Sequence, residues 1–203
     1  MSIPFQDSET AKNLLRAFAG ESQARNRYDF AANLCQKQEL QAMAFIFQAT
    51  AKQEQAHAKV FWDHLQALNS QNLPIYGAYP IEGTNRILEL LRAAQHNEHE
   101  EHGSVYPSFA AIATQEGFPE AAASFRQIAA IEQLHGERFG LLADQLESGA
   151  LFVSQIETGW MCLNCGHTQN SLEAPKQCPV CNHGQGWFIR LELAPWSPVA
   201  KQT

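Results

Sequence analysis

Apolar residues recur every three or four positions along most of the chain, which is the spacing of helices that bury one face. The pattern predicts four long helices: about residues 8–37, about 39–69, from 84 to a turn at 117–119, and from there to about 148. Thr84 is the expected N-cap of the third helix, and Pro107 should kink or divide that helix. Helices of roughly 30 residues form a bundle about 45 Å long.

The pattern changes at Leu151. Short stretches that favour β-strands follow, and glycine, proline and asparagine become frequent. The sequence therefore predicts an all-α four-helix bundle over residues 1–149 and a small β-rich domain over residues 150–203.

Composition narrows the classes of protein. Hydrophobic residues make up 45% of the 203 residues, which is enough for one ordinary core and a small second domain. The formal net charge of −7 argues against nucleic acid as a partner. No apolar run approaches the length of a membrane span, and the N-terminus lacks the features of a signal peptide, so we expect a cytoplasmic protein without a membrane partner.

The main candidate for chemistry is Glu-x-x-His, which occurs at Glu54 and His57 and again at Glu132 and His135. Residues three apart on a helix project from one face, so a carboxylate and an imidazole can bind one transition-metal ion. A single copy is weak support, because the pair is common by chance on solvated helices. The two copies share phenylalanines and an alanine at equivalent positions, and every equivalent residue lies 78 positions after its counterpart.

The other two helices carry glutamates without a histidine partner at this spacing, Glu21 and Glu98. Two Glu helices and two Glu-x-x-His helices are the ligand set of ferritin-like di-iron or di-manganese carboxylate proteins. Glu101 shares a face with Glu98, and such an inward pair needs a cation to offset its repulsion. The candidate bundle ligands are Glu21, Glu54, His57, Glu98, Glu101, Glu132 and His135.

Four of the five cysteines form two Cys-x-x-Cys pairs, Cys162 with Cys165 and Cys178 with Cys181. In a reducing compartment this pattern favours a metal over disulfides. Four thiolates bind zinc or iron tetrahedrally, and the spacing leaves both metals open. Gly166 and Asn182 follow two of these cysteines and tolerate the positive φ that turns a loop back on its metal.

With both sites considered together, the chain closely resembles the rubrerythrin family. The resemblance rests on the Ala19-Gly20-Glu21-Ser22-Gln23-Ala24-Arg25 segment, both Glu-x-x-His motifs, Glu98-x-x-Glu101 ahead of Tyr106-Pro107, and the two cysteine pairs. It implies a ferritin-like di-iron bundle followed by a rubredoxin-like domain with one iron. His167 departs from the family, where an aromatic residue often follows the Cys-Gly knuckle.

The resemblance also implies roles for the ligands. Glu54 and Glu132 would bridge two irons, while Glu21 and Glu98 would be terminal ligands. His135 would bind the second iron, and Glu101 and His57 would exchange on the first iron as its redox state changes. Tyr28 and Tyr106 match tyrosines near the cluster.

The function that the resemblance implies is a peroxidase that reduces hydrogen peroxide to water. Electrons would come from a reduced pyridine nucleotide through a separate reductase or rubredoxin and then through the four-cysteine iron, because the chain has no dinucleotide-binding fingerprint. A homodimer or higher oligomer would let the thiolate-bound iron of one chain serve the bundle of another. The alternatives are a ferroxidase that handles iron and a structural protein with zinc in both sites.

The connection between the second and third helices, residues 71–83, predicts an unusual crossover. In a ferritin-like bundle these helices are parallel, so with Glu54 and Glu98 at one height the connection must span roughly 45 Å. Its full extension is only roughly 46–50 Å. Either the segment runs almost straight within one chain, or two chains exchange helix pairs to relieve the tension.

Overall fold

A computed structural model describes residues 3–195, and it contains the predicted helical bundle followed by a small antiparallel sheet. The helices are α1 (Glu9–Lys37), α2 (Gln41–His64), α3 (Ile87–Glu100), α4 (Tyr106–Glu116) and α5 (Pro119–Glu147). A 3₁₀ turn, Leu65–Leu68, extends α2. The helices α3 and α4 together make the third of the four predicted helices, so the fold class is confirmed.

Pro107 explains why the third helix is divided. Proline has no N–H to donate to the carbonyl four residues earlier, and its ring clashes with that carbonyl. A π-helical turn, Glu101–Val105, replaces the regular helix before the proline, and α4 starts directly after it. The predicted break is therefore present, and it lies at Glu101, a predicted ligand.

The start of the third helix differs from the prediction. The helix α3 begins at Ile87 with Arg86 at the N-cap position, so Thr84 is not its cap. Thr84 Oγ1 instead accepts a hydrogen bond from the N–H of Arg86 at 3.1 Å and donates one to Glu89 at 2.5 Å. The threonine closes a turn ahead of the helix, because a hydroxyl can bond to nearby backbone outside a helix as readily as at its end.

The bundle has two apolar cores with a polar layer between them. Along α2, Phe47 belongs to one core and Phe61 to the other, seven residues to either side of Glu54. Along α5, Phe139 and Phe125 flank Glu132 in the same way. Each helix thus places its glutamate about 10 Å from aromatic residues above and below. The two cores fix the height at which the carboxylates meet.

The segment between α2 and α3 crosses the bundle in extended form within one chain. The Arg16 Nε atom donates to the carbonyl of Tyr76 at 2.9 Å, and the hydroxyl of Tyr79 donates to the carbonyl of Arg16 at 2.9 Å. Further along, Arg27 forms an ion pair with Glu82 at 2.8 Å. These bonds hold the segment, residues 69–86, along the outside of α1.

The prediction that this crossover is under tension was wrong, because both flanking helices are shorter than expected. With the 3₁₀ turn ending at Leu68 and α3 starting at Ile87, the connection is residues 69–86 and not 71–83. It must cover roughly 40 Å and can reach roughly 63–68 Å. A strained crossover therefore no longer supports exchange of helix pairs between two chains, which stays a prediction.

The tail forms the sheet β2–β1–β3, with β1 at Val153–Cys162, β2 at Thr168–Glu173 and β3 at Phe188–Arg190. Both pairings are antiparallel, with Trp160 opposite Gln169 and Met161 opposite Ile189. A small core under the sheet contains Trp160, Phe188 and two of the cysteines. The predicted boundary between residues 149 and 150 lies in the turn after α5 and stays a prediction.

The tail packs against the end of the bundle where α1 turns into α2. Met161 and Ile189 join the bundle core that contains Met43 and Leu142. A Cβ atom at Gly186 would lie only 1.7 Å from the carbonyl oxygen of Glu39, so glycine permits this close approach. The cysteine domain therefore has a fixed place beside its own bundle, at the first turn of α2.

Candidate metal centres

Six of the seven predicted bundle ligands lie together in the polar layer. The helix α1 contributes one, α2 two, α3 one and α5 two. Each is at most 6% exposed, which is rare for carboxylates unless a partner compensates them. They are Glu21, Glu54, His57, Glu98, Glu132 and His135.

Their donor atoms form two groups that share two carboxylates. In the first group, Glu21 and His57 join Glu54 and Glu132, and in the second Glu98 and His135 join the same pair. Within each group the donor atoms all lie within 4.8 Å of one another. An arrangement in which two carboxylates belong to both groups suits two neighbouring cations with the shared carboxylates between them.

The contacts inside these groups are short but mostly lack hydrogen-bond geometry. His135 Nδ1 lies 2.8 Å from Glu132 Oε2 and 3.0 Å from Glu54 Oε1, yet it has no hydrogen-bond partner. Both oxygens of Glu132 and one oxygen each of Glu21, Glu54 and Glu98 are likewise buried without one. Buried lone pairs that converge in this way are costly unless a cation accepts them. The site fits a pair of metal ions.

Burial and mutual contacts shift the pKa values of the groups in this layer. Burial, together with the neighbouring carboxylates, raises the pKa of Glu21 and Glu101 well above the ordinary value. Burial raises the pKa of Glu98 to about 8. For the imidazoles, burial alone would lower the pKa, but the close carboxylates of Glu132 and Glu54 raise it to about 9 for His57 and about 12 for His135. Burial would raise the pKa of Glu54, but the two imidazoles lower it to about 2.

Two buried tyrosines orient Glu21 and Glu98, the two carboxylates that each belong to only one of the donor groups. The hydroxyl of Tyr28 on α1 donates to Glu98 on α3, and the hydroxyl of Tyr106 on α4 donates to Glu21 on α1 at 2.5 Å. Each tyrosine thus fixes a glutamate that belongs to a different helix. The predicted position of both tyrosines next to the cluster is confirmed.

Glu101 is the predicted ligand that the structure leaves outside both groups. It is half-buried at the start of the π-helical turn, and His57 completes the group that contains Glu21. Its carboxylate lies on the α1 side, where Oε1 would be 4.0 Å from a Cβ atom at Gly20. In this arrangement His57 belongs to the donor group that contains Glu21, and Glu101 does not.

Two further polar contacts at the site have no signal in the sequence. Gln53 Oε1 lies 3.0 Å from His135 Nε2, and His102 Nδ1 lies 2.8 Å from the carbonyl oxygen of Ala129. The first bond orients a ligand imidazole, as partners of metal-bound histidines commonly do. Neither residue has an equivalent in the other half of the repeat, so the internal repeat could not reveal them.

Close packing of α3 on α5 sets the position of Glu98 relative to His135. A Cβ atom at Gly136 would lie 2.4 Å from the ring of His99 and 3.3 Å from the Cβ atom of Glu98. A Cβ atom at Gly140 would lie 2.3 Å from the side chain of Gln95. Glycine at these two positions lets the helices approach closely enough to bring their ligands together.

The four paired cysteines form a second centre in the tail. Sγ atoms lie 3.7 Å apart between Cys162 and Cys181 and 3.6 Å apart between Cys165 and Cys178, and the four lie within 4.8 Å of one another. The backbone turns at the predicted positions, since φ is +76° at Gly166 and +61° at Asn182. A hydrogen bond from the backbone of His183 lowers the pKa of Cys181 to about 5, which favours the thiolate. The centre fits one tetrahedral metal ion.

Known proteins share both parts of the chain. The family model described as Rubrerythrin matches residues 12–143, and the one described as Rubrerythrin, rubredoxin-like domain matches residues 160–189. Rubrerythrin of Porphyromonas gingivalis is 43% identical over 188 residues, covering 93% of this chain and 92% of the relative. Rubrerythrin of Clostridium perfringens is 42% identical over 182 residues, covering 89% and 93%.

A solved structure supports the fold. The fully reduced, all-ferrous state of nigerythrin aligns with a TM-score of 0.60, covers 91% of this chain and 90% of its own, and is 24% identical. At this identity the likeness concerns the arrangement of helices and sheet alone. No helix among residues 3–195 is long and apolar enough to cross a membrane.

Proposed function

Since the chain belongs to the rubrerythrin family, we propose that it is a non-haem di-iron peroxidase that reduces hydrogen peroxide to water. The buried carboxylate groups are the di-iron site of this family, and the four cysteines are its rubredoxin-like iron site. The observation that carries the proposal is that Glu54 and Glu132 belong to both donor groups. Two metal positions this close suit a substrate that needs two electrons at once.

The residues of the bundle have distinct roles in this proposal. Bound iron supplies the two electrons that convert one peroxide molecule and two protons to two water molecules. Glu54 and Glu132 hold both metal positions together from opposite helix pairs. Glu21 and Glu98 complete one position each, and the Tyr106 and Tyr28 hydroxyls keep their carboxylates aimed inward.

His57 and Glu101 are the residues proposed to alternate at the first metal position. His57 is in the donor group, and Glu101 is next to it on the more open side. Neutral imidazole suits a ferrous ion, while a harder carboxylate suits a ferric ion. A π-helical turn, which is a frequent feature of functional sites, carries Glu101 and gives it a local backbone distinct from the rigid helices.

Electrons reach the bundle through the four-cysteine iron in this proposal. The donor is a separate reductase or rubredoxin that draws on a reduced pyridine nucleotide. Four thiolates kept reduced favour the cytoplasm as the compartment. A ferroxidase that stores iron would have no need of such an electron path.

The position of the tail supports the proposal of a homodimer or higher oligomer. It packs at the first turn of α2, and from Leu40 to Glu54 the helix rises about 21 Å. In the proposed oligomer, a head-to-tail neighbour brings its cysteine centre close to the bundle site. We therefore propose that electrons pass between chains.

A stopped-flow experiment tests the proposed activity. The holoprotein, reduced under anaerobic conditions, is mixed with hydrogen peroxide, and both iron centres should oxidise with one peroxide consumed per two electrons. Metal-free protein is the control. A ferroxidase would instead consume dioxygen in proportion to added ferrous iron, and absence of the visible absorption of thiolate-bound ferric iron would favour zinc and overturn the relay.

A further inference from the structure

A cavity of about 290 Å³ lies between α1, α3 and the extended segment that joins α2 to α3. Its outer wall is made of exposed residues of that segment, Gly77 to Pro80, and its inner end is made of Gly20 and Tyr106, which are buried. The cavity therefore leads from the surface to the interior of the bundle.

Three residues connect the inner end of this cavity with the candidate metal site. Tyr106 lines the cavity and donates to Glu21. Glu101 lines it too, and its carboxyl group lies close enough to Glu98, Glu132 and Glu54 to interact with them electrostatically. Gly20 directly precedes Glu21. The cavity runs along one edge of the apolar core that contains Ala17 and Tyr106, and its inner end adjoins the first donor group at Glu21.

Gly20 lies at a narrow point of the cavity. A Cβ atom there would lie 3.5 Å from the ring of Tyr79 and 4.0 Å from Glu101 Oε1, which are ordinary van der Waals distances. An alanine therefore fits, whereas a longer side chain would extend into the space between the tyrosine ring and the carboxylate. Tyr79 is held over this point by its hydrogen bond to the carbonyl of Arg16.

We propose that this cavity is the passage by which peroxide reaches the di-iron site, with Tyr79 as its outer wall and Gly20 as its narrow point. The inference rests on the proposed peroxidase function. The polar side chains along the walls, including Gln23 and Asn97, offer hydrogen bonds to a small polar molecule such as peroxide. The extended crossover thus covers the opening of a substrate route as well as joining two helices.

Another groove provides a matched comparison. Phe18, Ser22, Ala58 and Trp62 line a groove of about 420 Å³ between α1 and α2. Ser22 is the neighbour of Glu21 on the opposite side from Gly20. A leucine at Ser22 adds bulk beside the same ligand but outside the proposed passage.

Azide binding to the oxidised holoprotein tests the passage independently of peroxide turnover. Azide is a small anion whose binding to ferric iron is followed by difference absorption in the stopped-flow. Gly20→Leu should lower the association and dissociation rates by the same factor, about tenfold or more, and leave the equilibrium constant unchanged, because a narrowed passage raises only the barrier. Gly20→Ala and Ser22→Leu should bind azide at the wild-type rates.

The outcomes are distinct. Wild-type rates in Gly20→Leu, or equal slowing in Ser22→Leu, would overturn the passage. A changed equilibrium constant with unchanged association rate would mean that the substitution altered the metal site instead, which also overturns it. If Gly20→Leu does not fold, Gly20→Val provides the same comparison. Failure of wild-type reduced protein to react with peroxide would overturn the proposed function and leave the azide result to judge the passage.

Discussion

At the residue scale, Glu54 and Glu132 differ from the other ligands because each belongs to both donor groups. The remaining four ligands each belong to one group. This difference in connectivity gives the residues different expected effects on metal content, although all six are similarly buried.

Replacing a shared carboxylate should empty both metal positions. We expect Glu54→Ala or Glu132→Ala to lose about two irons per chain and to retain the iron of the cysteine centre, because each position loses a ligand. Glu100→Ala, an exposed residue of α3, is the control and should retain all three. Metal analysis with visible spectroscopy measures both centres. Two bundle irons retained in either variant would contradict the bridging roles.

Metal binding should release protons, since the metal-free site holds them on Glu98 and on the imidazoles. A group whose pKa is raised on folding adds stability below its ordinary pKa and loses it as the pH rises towards the raised value. For Glu98 that window runs from 4.5 to about 8, and for His57 from 6.5 to about 9. The metal-free bundle should therefore become less stable between about pH 6 and pH 9.

Two measurements check this expectation. Urea unfolding of metal-free protein should give a lower free energy of unfolding at about pH 9 than at about pH 6, and metal-loaded protein should show a smaller difference. Addition of ferrous iron at about pH 7 to weakly buffered protein should release on the order of two to four protons per chain. Uptake of metal without proton release would contradict the assigned protonation.

At the element scale, the position of α3 on α5 depends on glycines that face histidine and glutamine side chains. Alanine at Gly136 would gain about 1 kcal/mol in helix propensity. It would also meet the His99 ring at 2.4 Å and the Cβ atom of Glu98 at 3.3 Å. The exposed ring can turn away at some cost, but the Glu98 Cβ atom can yield only if α3 shifts by a few tenths of an ångström, so we expect a small net loss of stability.

We therefore expect Gly136→Ala to lower the thermal stability and to weaken metal retention at the position that contains Glu98 and His135. The double variant Gly136→Ala with His99→Ala removes the clashing ring and should recover most of the thermal stability and of the metal retention. Thermal unfolding and metal analysis after dialysis against a chelator provide the measurements. A single variant as stable as wild type would show that the ring moves aside at no cost.

At the scale of the whole molecule, the tail packs at one end of the bundle while the metal ligands lie near its middle. Removal of the tail after Ser148 should leave a bundle that binds two irons and reacts once with peroxide. Its steady-state turnover with the reductase should fall to a small fraction of wild type, because the electron relay is missing.

Transfer between chains predicts complementation. A mixed oligomer of the truncated chain with full-length Glu54→Ala has one intact bundle site and one intact cysteine centre on different chains. We expect it to regain turnover that neither parent has, as measured by peroxide-dependent oxidation of the reduced nucleotide. Mixed oligomers that remain inactive would show that each cysteine centre serves its own bundle, and unchanged turnover of the truncated chain alone would exclude the relay.

The features of this protein that could be predicted from the sequence are local or repeated. Helical periodicity placed the helices, and Pro107 marked the break at the π-helical turn. The repeated Glu-x-x-His motif predicted ligands that the structure brings together, and the cysteine spacing predicted the second centre. Such features are encoded within a few residues of one another, so a pattern can reveal them.

Features that depend on contacts between distant segments are visible only in the folded structure. Thr84 is not the cap because α3 begins three residues later, at Ile87, with the Thr84 hydroxyl bonded to Arg86 and Glu89. The shorter helices also lengthen the connection predicted at residues 71–83 to residues 69–86 and remove its tension. The exclusion of Glu101 from the donor groups depends on where His57 points across the bundle. The cavity beside Gly20 exists because the extended segment is held against α1 by bonds that bridge sixty or more positions in the chain. Hydrophobic spacing along one helix carries no information about such contacts, since their geometry is set by packing.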